Sequence, residues 1–96
     1  MKFAAIIEYS QDREKVQSLR PVHRQYLTAL KERGQLAACG PFTDDSGALI
    51  VYEAASLEEA EKLLQADPFH HNGIFLSWRL RPWNPVIANR DLFPAS

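Results

Sequence analysis

The side chains in this sequence best suited to proton transfer are those of His23 and Asp67. Histidine changes its charge near neutral pH, so a neutral imidazole can accept or donate a proton in that range. A carboxylate beside it would fix the tautomer and the orientation of the ring. Asp67 is the favoured partner because it stands where a predicted helix ends, a position that can turn a carboxylate inward. The alternative is structural, with Asp67 acting as a local turn residue that never meets His23.

Other side chains near these two are candidates for binding a substrate. Arg20 precedes the predicted start of the first helix and could reach an anionic group, although an exposed or salt-bridging arginine is the alternative. Tyr9 ends the first predicted strand and could present its hydroxyl to the same pocket, or lie half-buried at its rim. Gly40 and Pro41 are expected to shape the end of the second strand, since glycine allows a bend or a close approach to a ligand.

Several kinds of site are not expected. His70 and His71 are adjacent on a loop and no HxH or HExxH spacing occurs, so we expect no metal. There is no glycine-rich phosphate loop, and Asp12, Asp44 and Asp45 fall in predicted solvated turns. Cys39 is the single cysteine, which excludes an internal disulfide and favours a reducing, cytoplasmic setting. Its apolar surroundings, LAACG, predict a buried thiol.

Length and charge restrict the protein further. A chain of 96 residues has room for one domain, and a net charge of −1 without a long basic run makes nucleic acid an unexpected partner. The opening segment, MKFAAIIEYS, is interrupted by Glu8 and predicts a first strand instead of a signal peptide. No stretch approaches the roughly 18 consecutive apolar residues of a membrane helix.

The hydrophobic pattern predicts six elements that must position these side chains. Strands are predicted at residues 3–9, 36–42, 48–54 and 74–81. In the last strand, Ile74, Leu76, Trp78 and Leu80 are predicted on one face, and Phe75 on the other.

Two helices join the strands. Asp12 is predicted to cap a short helical turn over residues 13–19, and the first helix to start at Pro21 and stop at Gly34. This start would place His23 in the first turn, where the helix dipole disfavours an imidazolium and keeps the ring neutral. The second helix begins at a capping box of Ser56 and Glu59 and ends before Asp67-Pro68.

The order strand, helix, strand, strand, helix, strand predicts an α+β fold of the ferredoxin-like type, βαββαβ, with a four-stranded antiparallel sheet and both helices on one face. Strands one and three carry apolar side chains on both faces, so the open sheet face needs a cover. We expect a homodimer formed through this face. The tail over residues 84–96 predicts no regular structure and is expected to pack on the domain or on the partner subunit.

The order of several short pieces resembles the YciI-like (YCII-related) family over about residues 3–83. The pieces are Arg20-Pro21 with His23, Gly40-Pro41, Gly47, the run Ser56 to Ala60, and Asp67-Pro68-Phe69. The resemblance implies a dimeric α+β barrel with a catalytic His–Asp pair, which would be His23 and Asp67. We count Phe69 among the expected substrate-binding residues. The resemblance implies no substrate, although one branch of the family resembles dehydrochlorinases of chlorinated aromatic breakdown.

The leading hypothesis is a small cofactor-free enzyme of lyase or isomerase type that acts on a small oxygenated or cyclic molecule. His23 would be the general acid or base and Asp67 would orient it. The competing hypothesis is a module that binds a small ligand, or assembles, without catalysis. A third is an oxygenase that relies on the reactivity of its substrate.

Overall fold

Four antiparallel strands form a single sheet in this computed structural model, which describes residues 1–94. The strands are β1 (Lys2–Tyr9), β2 (Leu36–Pro41), β3 (Gly47–Glu53) and β4 (Phe75–Trp83). Their spatial order is β2-β3-β1-β4. The first strand, β1, therefore lies inside the sheet, next to the last strand, β4, which forms one edge. This is the predicted ferredoxin-like topology.

The core lies between the sheet and its helices, α1 (Arg13–Glu32), α2 (Leu57–Gln65) and the short α3 (Pro68–His71). Alternate side chains of β1 and β3 are buried against buried positions of the helices, as the period-two and helical patterns require. The largest buried apolar side chains of this core are Phe3, Ile7, Leu30, Ile50, Tyr52, Leu64, Phe69 and Ile74.

Helix α1 is continuous through Pro21, so the predicted separate turn over residues 13–19 and the new helix start at Pro21 are wrong. Asp12 caps α1 as predicted, by accepting a hydrogen bond from the Lys15 N–H at 3.2 Å. Proline removes only the bond to the Gln17 carbonyl, and both residues are exposed, so water can hydrate that carbonyl. His23 therefore lies in the middle of α1, and the helix start has no part in setting its charge.

The start of α2 is the predicted capping box in a slightly displaced form. The Ser56 hydroxyl accepts from the Glu59 N–H at 3.1 Å, and the Glu59 carboxylate accepts from the N–H of Ala55 at 3.1 Å. One side chain thus satisfies a backbone donor in the first turn, and the other satisfies a donor just before the helix.

A β-bulge changes the predicted faces of β4. Glu8 pairs with Ser77, but the next residue, Tyr9, pairs with Phe75, which leaves Leu76 unopposed. Phe75 is consequently buried and Leu76 is 56 % exposed, the reverse of the predicted arrangement. Trp78 and Leu80 do pack against the core as predicted.

The sheet face opposite the helices is uncovered within the part of the chain that the structure describes. Ile6 and Leu49 are cross-strand partners on this face and are 50 % and 41 % exposed, although Val51 on the same face is buried. Residues 84–94 hold one short 3₁₀ turn, Arg90–Leu92, and their apolar side chains remain largely exposed. No helix of residues 1–94 has the length and apolar character needed to cross a membrane.

Candidate active site

The structure brings His23 and Asp67 together. Nδ1 of His23 lies 2.7 Å from Oδ1 of Asp67, across 44 positions of sequence. Both residues are buried, His23 at 5 % exposure and Asp67 at 0 %. An ionised Asp67 can only accept hydrogen bonds, which would assign the donated proton to Nδ1 of His23.

Asp67 is held in place by the short helix that follows it. Its Oδ1 accepts from the N–H of Phe69 at 2.8 Å, which makes Asp67 the N-cap of α3 with Pro68 at the first helical position. The hydrophobic pattern predicts only that this proline ends the preceding helix, and it does not predict α3. The Asp-Pro pair is itself the signal for a helix start, and the turn role and the pairing with His23 coexist in one side chain.

Phe69 forms a wall against the imidazole. Its ring is parallel to that of His23 within 3°, with the ring centroids 3.8 Å apart. The Tyr9 ring meets Phe69 edge-on at 5.4 Å. Phe69 is fully buried. It contacts His23 but does not line the cavity between α1 and β2 that lies beside His23.

The open edge of His23 borders a cavity of about 330 Å³ between α1 and the edge strand β2. Nε2 of His23 has no hydrogen-bond partner within residues 1–94 and is not among their fully buried unpartnered atoms. The volume is at the small end of the range of about 300–1,000 Å³ for ligand pockets. Gly40 and Pro41 also line it, and a Cβ added to Gly40 would have no atom within 4 Å.

Tyr9 and Arg20 also line this cavity, but Arg20 already has an anionic partner. Its Nη2 lies 2.7 and 2.8 Å from the two carboxylate oxygens of Asp45. Asp45 lies in the predicted turn, but its side chain is only 27 % exposed and is paired, so it is less solvated than predicted. Burial raises the pKa of Tyr9 to about 12, so its phenol stays protonated at neutral pH.

Tyr9 and the Arg20–Asp45 ion pair stand between this cavity and a larger one. The larger cavity, about 790 Å³, opens at the end of β1 and is also lined by Tyr9, Asp45, Phe42 and Trp78. Arg20 faces the smaller cavity and Asp45 the larger. Asp45 has a φ of 60°, the left-handed conformation that aspartate tolerates better than most residues.

Cys39 is exposed, so the prediction of a buried thiol is wrong. It is paired with Ile50 and lines the smaller cavity, because β2 is an edge strand whose helix-facing side opens there. Partial desolvation raises the pKa of the thiol, and the nearby Arg24 guanidinium opposes this shift. The sulfur is therefore largely protonated at neutral pH.

Two fully buried polar atoms around the pair have no partner within the described residues. They are Oδ2 of Asp67 and the hydroxyl of Tyr52. Burial and then the charge of Asp67 raise the pKa of Tyr52, so this phenol remains a hydrogen-bond donor. Tyr26, by contrast, donates to the Leu63 carbonyl at 2.6 Å and ties α1 to α2. Neither of these tyrosines is distinguished as a site residue by its position in the sequence.

The remaining histidines lie apart from His23. The ring of His70 packs against Trp78 at 5.2 Å and against His71 at 6.3 Å. Within residues 1–94 no three histidine, cysteine or acidic side chains converge as a metal site would require.

The topology defines a small α+β domain of the ferredoxin-like class, and this domain holds the buried His23–Asp67 pair. The chain belongs to the YCII-related domain family, whose model matches residues 1–84. The protein YciI of Escherichia coli is 32 % identical over 93 residues, which cover 82 % of this chain and 95 % of that protein. YjpA of Bacillus subtilis, itself uncharacterised, is 36 % identical over 63 residues, 62 % of this chain and 74 % of YjpA.

A solved structure has the same fold. It is the 5-chloro-2-hydroxyhydroquinone dehydrochlorinase TftG of Burkholderia phenoliruptrix, in complex with 2,5-dihydroxybenzoquinone. The match has a TM-score of 0.77 at 24 % identity and covers 88 % of this chain and 94 % of TftG.

Proposed function

We propose that this protein is an enzyme acting on small molecules. His23 would transfer a proton, and Asp67 would orient the imidazole and stabilise its charged form. The observation that carries the proposal is the 2.7 Å bond from Nδ1 to Asp67, which leaves Nε2 as the free, basic edge at a cavity. A buried carboxylate that fixes the tautomer and stabilises the imidazolium is how a histidine general base is prepared for catalysis.

The chemistry would be of lyase or isomerase type and would need no cofactor. Nε2 takes a proton from the substrate, and the electron pair left behind either expels a leaving group or shifts so that the proton returns at another atom. Tyr9 and Arg20 would hold an anionic or phenolic oxygen of the substrate, with Gly40 and Pro41 shaping the wall and Phe69 holding the imidazole. TftG, as a dehydrochlorinase, offers a precedent for elimination on this fold.

The test is a comparison of turnover between the protein and its His23→Gln and Asp67→Asn variants. A mixture of small oxygenated and cyclic metabolites is incubated with each protein and followed by mass spectrometry. We expect at least one compound to be converted by the wild type, and its conversion to fall sharply in both variants. Binding without conversion would favour the non-catalytic ligand module, and oxygen-dependent conversion would favour an oxygenase.

We also propose that two copies associate through the open sheet face, with residues 84–96 packing on the partner or the domain; residues 95–96 lie outside the described part of the chain. The exposed cross-strand pair Ile6 and Leu49 supports this face as the contact. In sedimentation experiments at micromolar concentration, Ile6→Lys should yield single chains. Leu57→Lys provides the control, because Leu57 is similarly exposed, at 45 %, but lies on α2.

A further inference from the structure

Among residues 1–94, basic side chains line the smaller cavity and no acidic side chain does. Arg20, Arg24 and Lys31 all border it, together with Thr28, and all four come from α1. Their spacing of four, four and three residues places them along one side of the helix. The chain as a whole has a net charge of −1, so this is a local concentration of positive charge.

Two of these charges are not neutralised by the described part of the chain. Arg20 is paired with Asp45, whereas no ion pair among residues 1–94 includes Arg24 or Lys31. Both side chains are exposed, and Arg24 on α1 and Cys39 on β2 both line the cavity. The carboxylate of Asp67 lies outside the lining and is bonded to His23.

We infer that the ligand of the His23 cavity is a small anion, and that Arg24 and Lys31 form with Arg20 a cationic mouth that attracts and retains it. This inference rests on the proposed function in placing the ligand beside His23, and it adds the substrate class. A mouth lined by one sign of charge concentrates ions of the opposite sign and speeds their entry. Asp45 limits this effect, because it neutralises Arg20.

The experiment uses benzoate as the anionic probe and benzamide as its neutral counterpart. Binding to the full-length protein is followed by NMR, through the amide signals of Thr28 and Gly40 and the ring signals of His23. We expect benzoate to bind and benzamide to bind at least about ten-fold more weakly. Benzoate affinity should fall about three-fold or more between about 20 and 200 mM salt, because ions screen exposed charges.

Charge variants locate the effect. Arg24→Gln and Lys31→Gln should each weaken benzoate binding about three-fold, and Asp45→Asn should strengthen it by a similar factor because it frees Arg20. Arg33→Gln is the matched control, since it removes the same charge from an exposed residue that caps α1 away from the cavity lining. It should leave the affinity unchanged.

Three results would overturn the inference: no benzoate binding, benzamide binding as tight as that of benzoate, or equal weakening by Arg33→Gln. The proposed function fails separately. Charge-dependent benzoate binding with no turnover of any metabolite would remove the catalytic proposal and leave the anion site. Turnover of a neutral compound without benzoate binding would remove the anion site and leave the catalytic proposal.

Discussion

Phe69 contacts both His23 and Asp67, through two different parts of the residue. Its ring stacks on His23 at 3.8 Å, and its backbone N–H donates to the same Asp67 oxygen that His23 binds. The pair is therefore fixed by α3, a helix of only four residues. The position of the His23 ring depends on packing against Phe69, and the position of the Asp67 carboxylate depends on the helix cap.

Phe69→Leu should loosen His23 without removing the cap, because the backbone donor remains. We expect a loss of about 1–2 kcal/mol in the free energy of unfolding. The His23 ring signals should broaden in NMR spectra. Phe75→Leu is the control, since that ring meets His23 only edge-on at 6.2 Å. Equal broadening in both variants would show that the parallel stack has no special role.

Asp67→Asn should preserve the start of α3, because asparagine caps helices as well as aspartate does. The amide cannot hold the imidazole in the same way, so the proton should move from Nδ1 to Nε2 in part of the molecules. On an identified substrate, kcat should fall by about 10²-fold or more. Nitrogen-15 NMR of His23 reports the tautomer. An unchanged tautomer together with unchanged kcat would contradict the pairing role.

Gly47→Ala should be strongly destabilising. An added Cβ would lie 1.9 Å from the carbonyl oxygen of Ile7, on the backbone of the neighbouring strand. Relief requires the central β1–β3 pair to separate, so we expect a loss of about 3 kcal/mol or more in chemical denaturation. Gly40→Ala is the matched control, because its Cβ would meet nothing within 4 Å. Similar losses in both variants would contradict the structure at this position.

All three tyrosines should resist ionisation while the chain is folded. Burial raises the pKa of Tyr9 and of Tyr26 to about 12 and raises that of Tyr52 as well. The folded state thus keeps protons that the unfolded state loses near pH 10, so stability must decrease as the pH rises above 10. Ultraviolet absorbance of the phenolate checks this. A reversible titration near pH 10 with the fold intact would contradict the burial of these side chains.

Ending the chain after Trp83 should separate the stability of the domain from its association. Val86 and Ile87 are 79 % and 93 % exposed, so the domain gains little from them and its thermal midpoint at low concentration should hardly change. If the tail packs on a partner, sedimentation should show weaker dimerisation. A fall in the midpoint of the single chain would instead indicate packing on the domain.

The strand and helix periodicities sufficed to predict the topology. They did not predict the β-bulge in β4 or the continuity of α1. A bulge adds one residue to one strand only, so the alternation within β4 alone could not reveal that Leu76 is displaced. Val16 and Leu27 are buried on either side of Pro21, so packing on both sides favours one continuous helix. Local propensity does not include those contacts.

The candidate site was also predictable only in part. His23 and Asp67 stood out by residue type and position, and the family pattern favoured joining them. The pairing of Arg20 with Asp45 was not predictable, because only the tertiary structure brings the turn at Asp45 back to α1. Arg24 and Lys31 resemble ordinary exposed helix residues until the edge strand is placed opposite them.

Pro21 divides α1 into two stretches that lack one of the hydrogen bonds joining them. The stretch before it borders the larger cavity through Arg13 and Val16, and the stretch after it carries His23. Opening of the first stretch therefore does not require unwinding of the second. Amide hydrogen exchange in α1 should proceed in two steps, and the larger cavity can open while His23 and Asp67 stay in contact.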